Sequence, residues 1–235
     1  ETISSQYVES LLEGLQSNSE SKRVTLLDFM ADYYDESIEN VLPYIEIIPD
    51  EENKDVLLLN GIGVIKDGCL EGYLDGIETR AYNFVTDNIK SAILVAKTPS
   101  LNATSGIEIL SSKTKIKYIK EQMEFDIKVN IKGMLSEQKN AVDLKNSENI
   151  NQIEESCANT VKSQIEDVIK KAQKTFKTDI FGFGQIIHRQ SPKEWKELKD
   201  KWKEYYPDAK VNVSVDVKIQ RRGMANSSAK WKDDK

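Results

Sequence analysis

Phe125-Asp126-Ile127-Lys128-Val129-Asn130-Ile131 and Val211-Asn212-Val213-Ser214-Val215-Asp216-Val217-Lys218-Ile219 each alternate apolar and polar residues without a break. Successive side chains of a strand point to opposite faces, so a period of two makes each run a strand with one buried and one wet face. An open sheet covered by helices on one side has this pattern. Between the two runs, Ile153, Cys157, Val161, Ile165, Val168, Ile169, Ala172 and Phe176 recur three or four residues apart, which predicts a long amphipathic helix. Ser191-Pro192-Lys193-Glu194 reads as a capping box opening a second helix. In that helix Trp195, Leu198, Trp202 and Tyr205 share one face until Pro207 ends it. Upstream, Ile107 to Leu110 and Ile116 to Ile119 read as two further strands, and Leu135 to Asn151 as a loop or strand edge. The tail 225–235 has no period and is expected to be mobile.

The N-terminal part mixes the same elements. Val8, Leu11, Leu12 and Leu15 predict a helix over Ser5 to Gln16, and Val24, Leu27, Ala31 and Tyr34 a second one. Pro43 and Pro49 bracket an extended edge segment, Tyr44 to Ile48. Val56 to Leu59 and Ile62 to Ile65 read as strands, and Lys66-Asp67-Gly68 as a turn into Cys69-Leu70. Leu74, Ile77, Ala81, Tyr82 and Val85 predict a helix, followed by the strand Ile93 to Val95. The whole is an α+β chain of two modules, 1–97 and 98–235, each a mixed or largely antiparallel sheet with helices packed against it.

Charge divides at the same place. Of the 235 residues, 1–97 hold 7 Lys+Arg against 19 Asp+Glu, a net of −12, and 98–235 hold 26 against 20, a net of +6, which together give the overall −6. The basic half suits an anionic partner such as a phospholipid surface or an acidic protein, although lysines alternating with acids also make an ordinary solvated surface. The longest apolar run is Ala92 to Ala96, far short of the roughly 20 residues that span a bilayer. Two cysteines and the lone His188 cannot make up a structural zinc set, and no metal or cofactor is assigned. Cys69 and Cys157 are expected to be buried free thiols, a single disulfide being the alternative. No nucleophile elbow, zinc-protease helix or phosphate loop occurs, so no catalytic residue is assigned, and only His188 oriented by Asp179 offers a general acid or base. The aromatic residues among lysines at 195–206 read as core, and with a net negative charge no nucleic acid is expected.

One stretch is more specific. Thr178-Asp179-Ile180-Phe181-Gly182-Phe183-Gly184, then Ile187-His188-Arg189, Pro192-Lys193-Glu194-Trp195 and the valine strand ending in Arg222-Gly223-Met224, resembles the C-terminal signature of the Ger(x)C family, the C subunits of spore nutrient germinant receptors. Val41-Leu42-Pro43-Tyr44-Ile45, Gly72-Tyr73-Leu74 and Glu78-Thr79-Arg80 resemble the family's middle region, so 1–97 corresponds to a middle domain and 98–235 to the C-terminal one.

The resemblance implies a non-enzymatic lipoprotein on the outer face of the spore inner membrane. It would be anchored through an upstream lipidated cysteine and would partner integral-membrane A and B subunits. Neither the lipobox nor the family's N-terminal domain is visible, so Glu1 is expected to lie downstream of both. The implied function is scaffolding or signal transmission in germination; the alternative is a domain that itself binds a small-molecule germinant in a cleft between the modules. Partner-contact or structural candidates are Phe181, Gly182, Phe183, Gly184, His188, Arg189, Trp195, Trp202, Arg221 and Arg222, and no ligand-binding residue is assigned.

Overall fold

The computed structural model describes residues 18–49 and 55–220. The expected helix over Ser5 to Gln16, the tail, Arg221 and Arg222 lie outside the described residues. The elements are α1 (Leu26–Tyr33), β1 (Val41–Pro49), β2 (Asp55–Lys66), β3 (Cys69–Leu74), α2 (Gly76–Val85), β4 (Ile93–Thr98), β5 (Ala103–Ile119), β6 (Glu124–Lys139), α3 (Ser147–Lys171), α4 (Phe183–Gln190), α5 (Pro192–Leu198), α6 (Trp202–Tyr205) and β7 (Lys210–Ile219). β1, β2 and β3 form an antiparallel sheet, and β4, β5, β6 and β7 a second sheet in which only β6 and β7 run parallel. The chain is α+β, and its helices pack against both sheets.

The parallel pair explains the long helix. A strand cannot return parallel to its neighbour through a tight turn, so β6 and β7 need a crossover. α3 supplies most of it, burying Ile150, Ile153, Cys157, Val161, Ile165, Val168 and Ile169. Their outward neighbours are polar, as the 3.6-residue period requires. At one end Glu154, itself buried, accepts from Ile219 N (2.8 Å) and Lys218 Nζ (3.0 Å), which fixes helix against strand. At the other, Lys171 Nζ donates to both Glu78 oxygens (2.8 and 2.7 Å), tying α3 to α2. One apolar cluster contains Val41, Ile62, Leu74 and Phe84 together with Ile107, Ile127, Val161 and Val217, so it joins the two sheets. The position 97/98 falls at the end of β4, which pairs with β5 from Ile93↔Glu108 to Thr98↔Ala103.

Several local readings differ from the sequence expectations. Val56 to Leu59 and Ile62 to Ile65 are one strand, because Gly61 takes φ +87° and absorbs a register shift opposite Pro43 and Ile45. A Cβ there would lie 1.9 Å from Leu74 O, so glycine is required. Likewise Ile107 to Leu110 and Ile116 to Ile119 are one 17-residue strand. The intervening Ser-Ser-Lys-Thr-Lys is polar because it faces water, except for Thr114, whose Oγ1 donates to Phe84 O (2.6 Å). The stretch 135–151 divides into the end of β6, a short loop and the start of α3.

The Ser191 capping box is absent: the Ser191 N–H already donates to Ile187 O (2.7 Å) to close α4, and Glu194 accepts from Tyr118 Oη (2.7 Å). Capping boxes sit instead at Thr25 with Asp28 and at Asp75 with Glu78. The helix expected over 191–206 is broken into α5 and α6 by a 3₁₀ turn at Lys199–Lys201, and Tyr206 is buried in place of Tyr205.

Both cysteines are free, as expected, but Cys69 opens β3 and is exposed, so its expected burial does not hold. Burial pushes the Cys157 thiol up to about 12. A thiol-specific reagent at pH 8 should therefore label Cys69 alone in the native protein, one equivalent per chain, and reach Cys157 only on unfolding.

Candidate functional site

The Thr178–Gly184 segment is a polar knot inside an aromatic cluster. Asp179 is buried, and its Oδ1 accepts from the backbone N–H groups of Phe181 (3.1 Å), Gly182 (3.0 Å) and Phe183 (3.2 Å). Its Oδ2 accepts from Gly184 N (2.9 Å) and Trp202 Nε1 (3.1 Å). An ionised carboxylate only accepts, so five converging donors suit it. Burial pushes its pKa up to about 6, and the backbone donors hold it from going higher, so at neutral pH the group is charged. The sequence suggested Asp179 as an orienting partner of His188, but its oxygens are taken up by this turn and by Trp202. The legible sign of its real role was a short carboxylate before a Phe-Gly-Phe-Gly turn.

Around the knot, Phe183 stacks on Phe125 (4.6 Å between centroids), Phe181 lies 5.5 Å from Phe183, and Trp202 packs edge-on against Trp195 (6.0 Å). Gly182 has φ +74° at the start of α4. A Cβ on Gly184 would meet Ser37 O at 2.6 Å and both tryptophans at 2.9 Å. Phe181, Gly182, Phe183, Gly184, Trp195 and Trp202 are thus brought together in the interior. His188 and Arg189 are exposed on α4, the His188 ring 6.0 Å from that of Trp195.

Arg189 faces a cleft of about 580 Å³ lined by residues from both sides of position 98, among them Lys22, Asp32, Asp87, Lys113 and Gln185. Lys113 is paired with Asp87, and Lys22 Nζ donates to Tyr82 Oη (2.8 Å). Arg189 makes no ion pair among the described residues, and burial pushes the Asp32 carboxyl above its usual range. The same residues contain no cluster of His, Cys, Asp and Glu able to hold a metal.

Two apolar surfaces are open to solvent. α1 buries none of its residues although its sequence is Leu-Leu-Asp-Phe-Met-Ala-Asp-Tyr, and Leu27 is 79% exposed. A helix of eight residues gains little stability by itself, and here a capping box holds its first turn. The β1–β2 hairpin, in turn, extends beyond β3, which pairs only with Ile62 to Lys66. Its projecting part carries the exposed Ile45 and Ile47 opposite the buried Leu59 and half-buried Leu57 on one face, and on the other Ile48 opposite Val56 and Glu46 opposite the exposed Leu58. Ile47 is 65% exposed. A two-stranded arm that leaves isoleucines and a leucine exposed is unusual on a free surface.

Residues 60–223 match the family described as Spore germination B3/GerAC like, C-terminal. The chain belongs to the Ger(x)C family. Among its relatives in Bacillus subtilis (strain 168), spore germination protein KC is 27% identical over 187 residues, 77% of this chain and 46% of that protein. Spore germination protein B3 is 28% identical over 180 residues, 74% and 47% respectively. The chain therefore spans about half the length of these relatives. The crystal structure of the GerBC protein superposes with a TM-score of 0.72 at 24% identity, over 84% of this chain and 62% of that one, and shares its fold.

Asp179→Asn would turn an amide NH₂ toward backbone donors. It should cost roughly 3 kcal/mol and lower the melting midpoint by about 6–12 °C, read by circular dichroism. Gly184→Ala should destabilise comparably, since Ser37 O is backbone and can move only with its chain.

Proposed function

We propose that this Ger(x)C chain serves spore germination as a non-catalytic part of a nutrient germinant receptor, scaffolding membrane-embedded A and B subunits or passing their signal. One observation carries this reading: α1 and the β1–β2 arm expose apolar side chains that a free monomer has no use for. Such surfaces mark protein–protein contacts, and their Tyr, Met and Leu content suits an interface core. Family membership supports the setting, and we place the protein on the outer face of the spore inner membrane, held by a lipidated cysteine upstream. No helix among the described residues is long and apolar enough to cross a membrane.

A second reading, direct binding of a small germinant, draws on the cleft beside Arg189. A carboxylate-bearing ligand would find an unpaired guanidinium there.

Leu27→Asp and Ile47→Asp should each leave the stability of the purified chain, read from its melting curve, within about 0.5 kcal/mol of wild type, since neither side chain is buried. In spores, each should reduce co-purification of the A and B subunits and slow the response to nutrients. Wild-type co-purification and germination in both variants would defeat the scaffold reading. The second reading predicts that an amino-acid germinant raises the stability of the chain, seen as a higher melting midpoint, by about 2.7 kcal/mol at 100 times Kd, an effect lost in Arg189→Ala.

A further inference from the structure

The outer face of the four-stranded sheet has no role in the folding core. Thr114, Phe125, Ile127, Val129 and Ile131 point inward and are buried, so their neighbours point outward. Those neighbours include Lys115 and Lys117 on β5 and Lys128 and Lys132 on β6, all exposed. The strand register sets Lys115 directly opposite Lys128. Like charges facing each other across a ladder are destabilising. None of the four makes an ion pair among the described residues, although other surface lysines do, such as Lys174 with Asp208 and Lys199 with Glu36. Two carboxylates share the lysine end of the face: Asp126, which stands opposite Lys117 in the register and accepts from Asn212 Nδ2 (3.0 Å), and Asp216, opposite Asn130. At the other end of the same face, β4 turns Ile93 and Val95 outward, each 57% exposed, with Glu108 opposite Ile93.

We propose that this face lies on a bilayer surface bearing anionic phospholipid headgroups. A lysine-rich plane with unpaired ammonium groups matches a plane of phosphates, and the potential of such a surface attracts clustered lysines within a Debye length. The exposed Ile93 and Val95 give the sheet an apolar margin able to enter the headgroup region, as in interfacial amphipathic elements. An acidic protein would be held by better shaped contacts with aromatic or arginine anchors, and this face contributes neither at the lysine end. The inference does not depend on the scaffold reading, because α1 and the β1–β2 arm are separate from this sheet.

Co-sedimentation of the 235-residue chain with vesicles of phosphatidylcholine alone, or mixed with phosphatidylglycerol, tests it. The chain should bind the mixed vesicles at low salt, bind phosphatidylcholine little, and be released by 0.5 M salt. Lys115→Gln/Lys128→Gln should weaken binding roughly thirty-fold, whereas Lys196→Gln/Lys201→Gln, on α5 and the turn after it, should leave it unchanged. Circular dichroism melting checks that both variants fold. No binding to anionic vesicles by wild type would overturn the proposal and leave the face to an acidic protein; equal loss in both variants would overturn it as a property of this face.

Discussion

The carboxylate of Asp179 accepts five hydrogen bonds inside the protein, and the packing of the C-terminal half is arranged around it. Four come from consecutive backbone N–H groups, residues 181–184, which would otherwise be buried without partners as the chain turns from the end of α3 into α4. An orphaned buried N–H is costly, so a turn of this kind is stable in the interior only with an internal acceptor. The fifth donor, Trp202 Nε1, comes from α6 and brings the second half of the 192–205 segment onto the same centre. Once the turn is fixed, Phe181 and Phe183 are held at defined positions against Phe125 and Tyr82, and the sheet beneath is covered. The glycines follow from the same constraint. Gly182 supplies the left-handed backbone that starts α4, and Gly184 lets that helix pass within contact of Ser37 and two tryptophans. The N-terminal segment is drawn in too, since Glu39 N donates to Asp179 O (2.9 Å) and Gln185 Nε2 to Asp35 Oδ2 (2.9 Å).

Elements specified by long, uniform periodicity could be read directly from the residues. The alternation at 125–131 and 211–219 and the three-and-four spacing of 153–176 each repeat many times, so a single exception does not blur them. Elements whose geometry depends on a distant partner could not. β2 and β5 looked like pairs of short strands because a bulge or a polar middle interrupts the local pattern, and only the neighbouring strand shows that the ladder continues. Ser191 has the residues of a capping box, but Tyr118, 76 positions away, takes the glutamate. Asp179 is the same case: an Asp before Phe-Gly-Phe-Gly signals a turn, yet nothing local says that the turn is buried or that a tryptophan indole completes the set.

The candidate surfaces were still less accessible to sequence reading. Apolar residues at helical spacing normally mean burial, and the spacing of Val24, Leu27, Ala31 and Tyr34 predicts a helix without showing that its apolar side chains stay exposed. Their exposure depends on what the rest of the chain covers: helix α2 packs on β2, α3 packs on β4 and β7, and neither shelters α1, which buries none of its residues. The arm has the same origin. β3 is only six residues long, so a β2 of twelve must project past it, and the apolar residues that a third strand would shelter remain open.

The outward residues of a half-buried sheet carry a different kind of information from the inward ones. The fold demands apolar side chains of suitable volume at positions such as Ile127 and Val129, and those positions report the core. It demands of the outward positions only that they be polar and not repel one another. Threonine, serine, glutamine or alternating charges would serve, and a lysine opposite a glutamate would add stability. Lys115 facing Lys128 does the opposite, at a site where Ser214 is the next residue across and offers no compensating charge. The fold does not require Lys115 opposite Lys128 and gains nothing from it, whereas one position along the same face Lys117 stands opposite Asp126 in the favourable arrangement. The same reasoning separates the lysines of this sheet from Lys199 and Lys203 of the 192–206 segment, for which Glu36, Glu39 and Asp67 already supply partners.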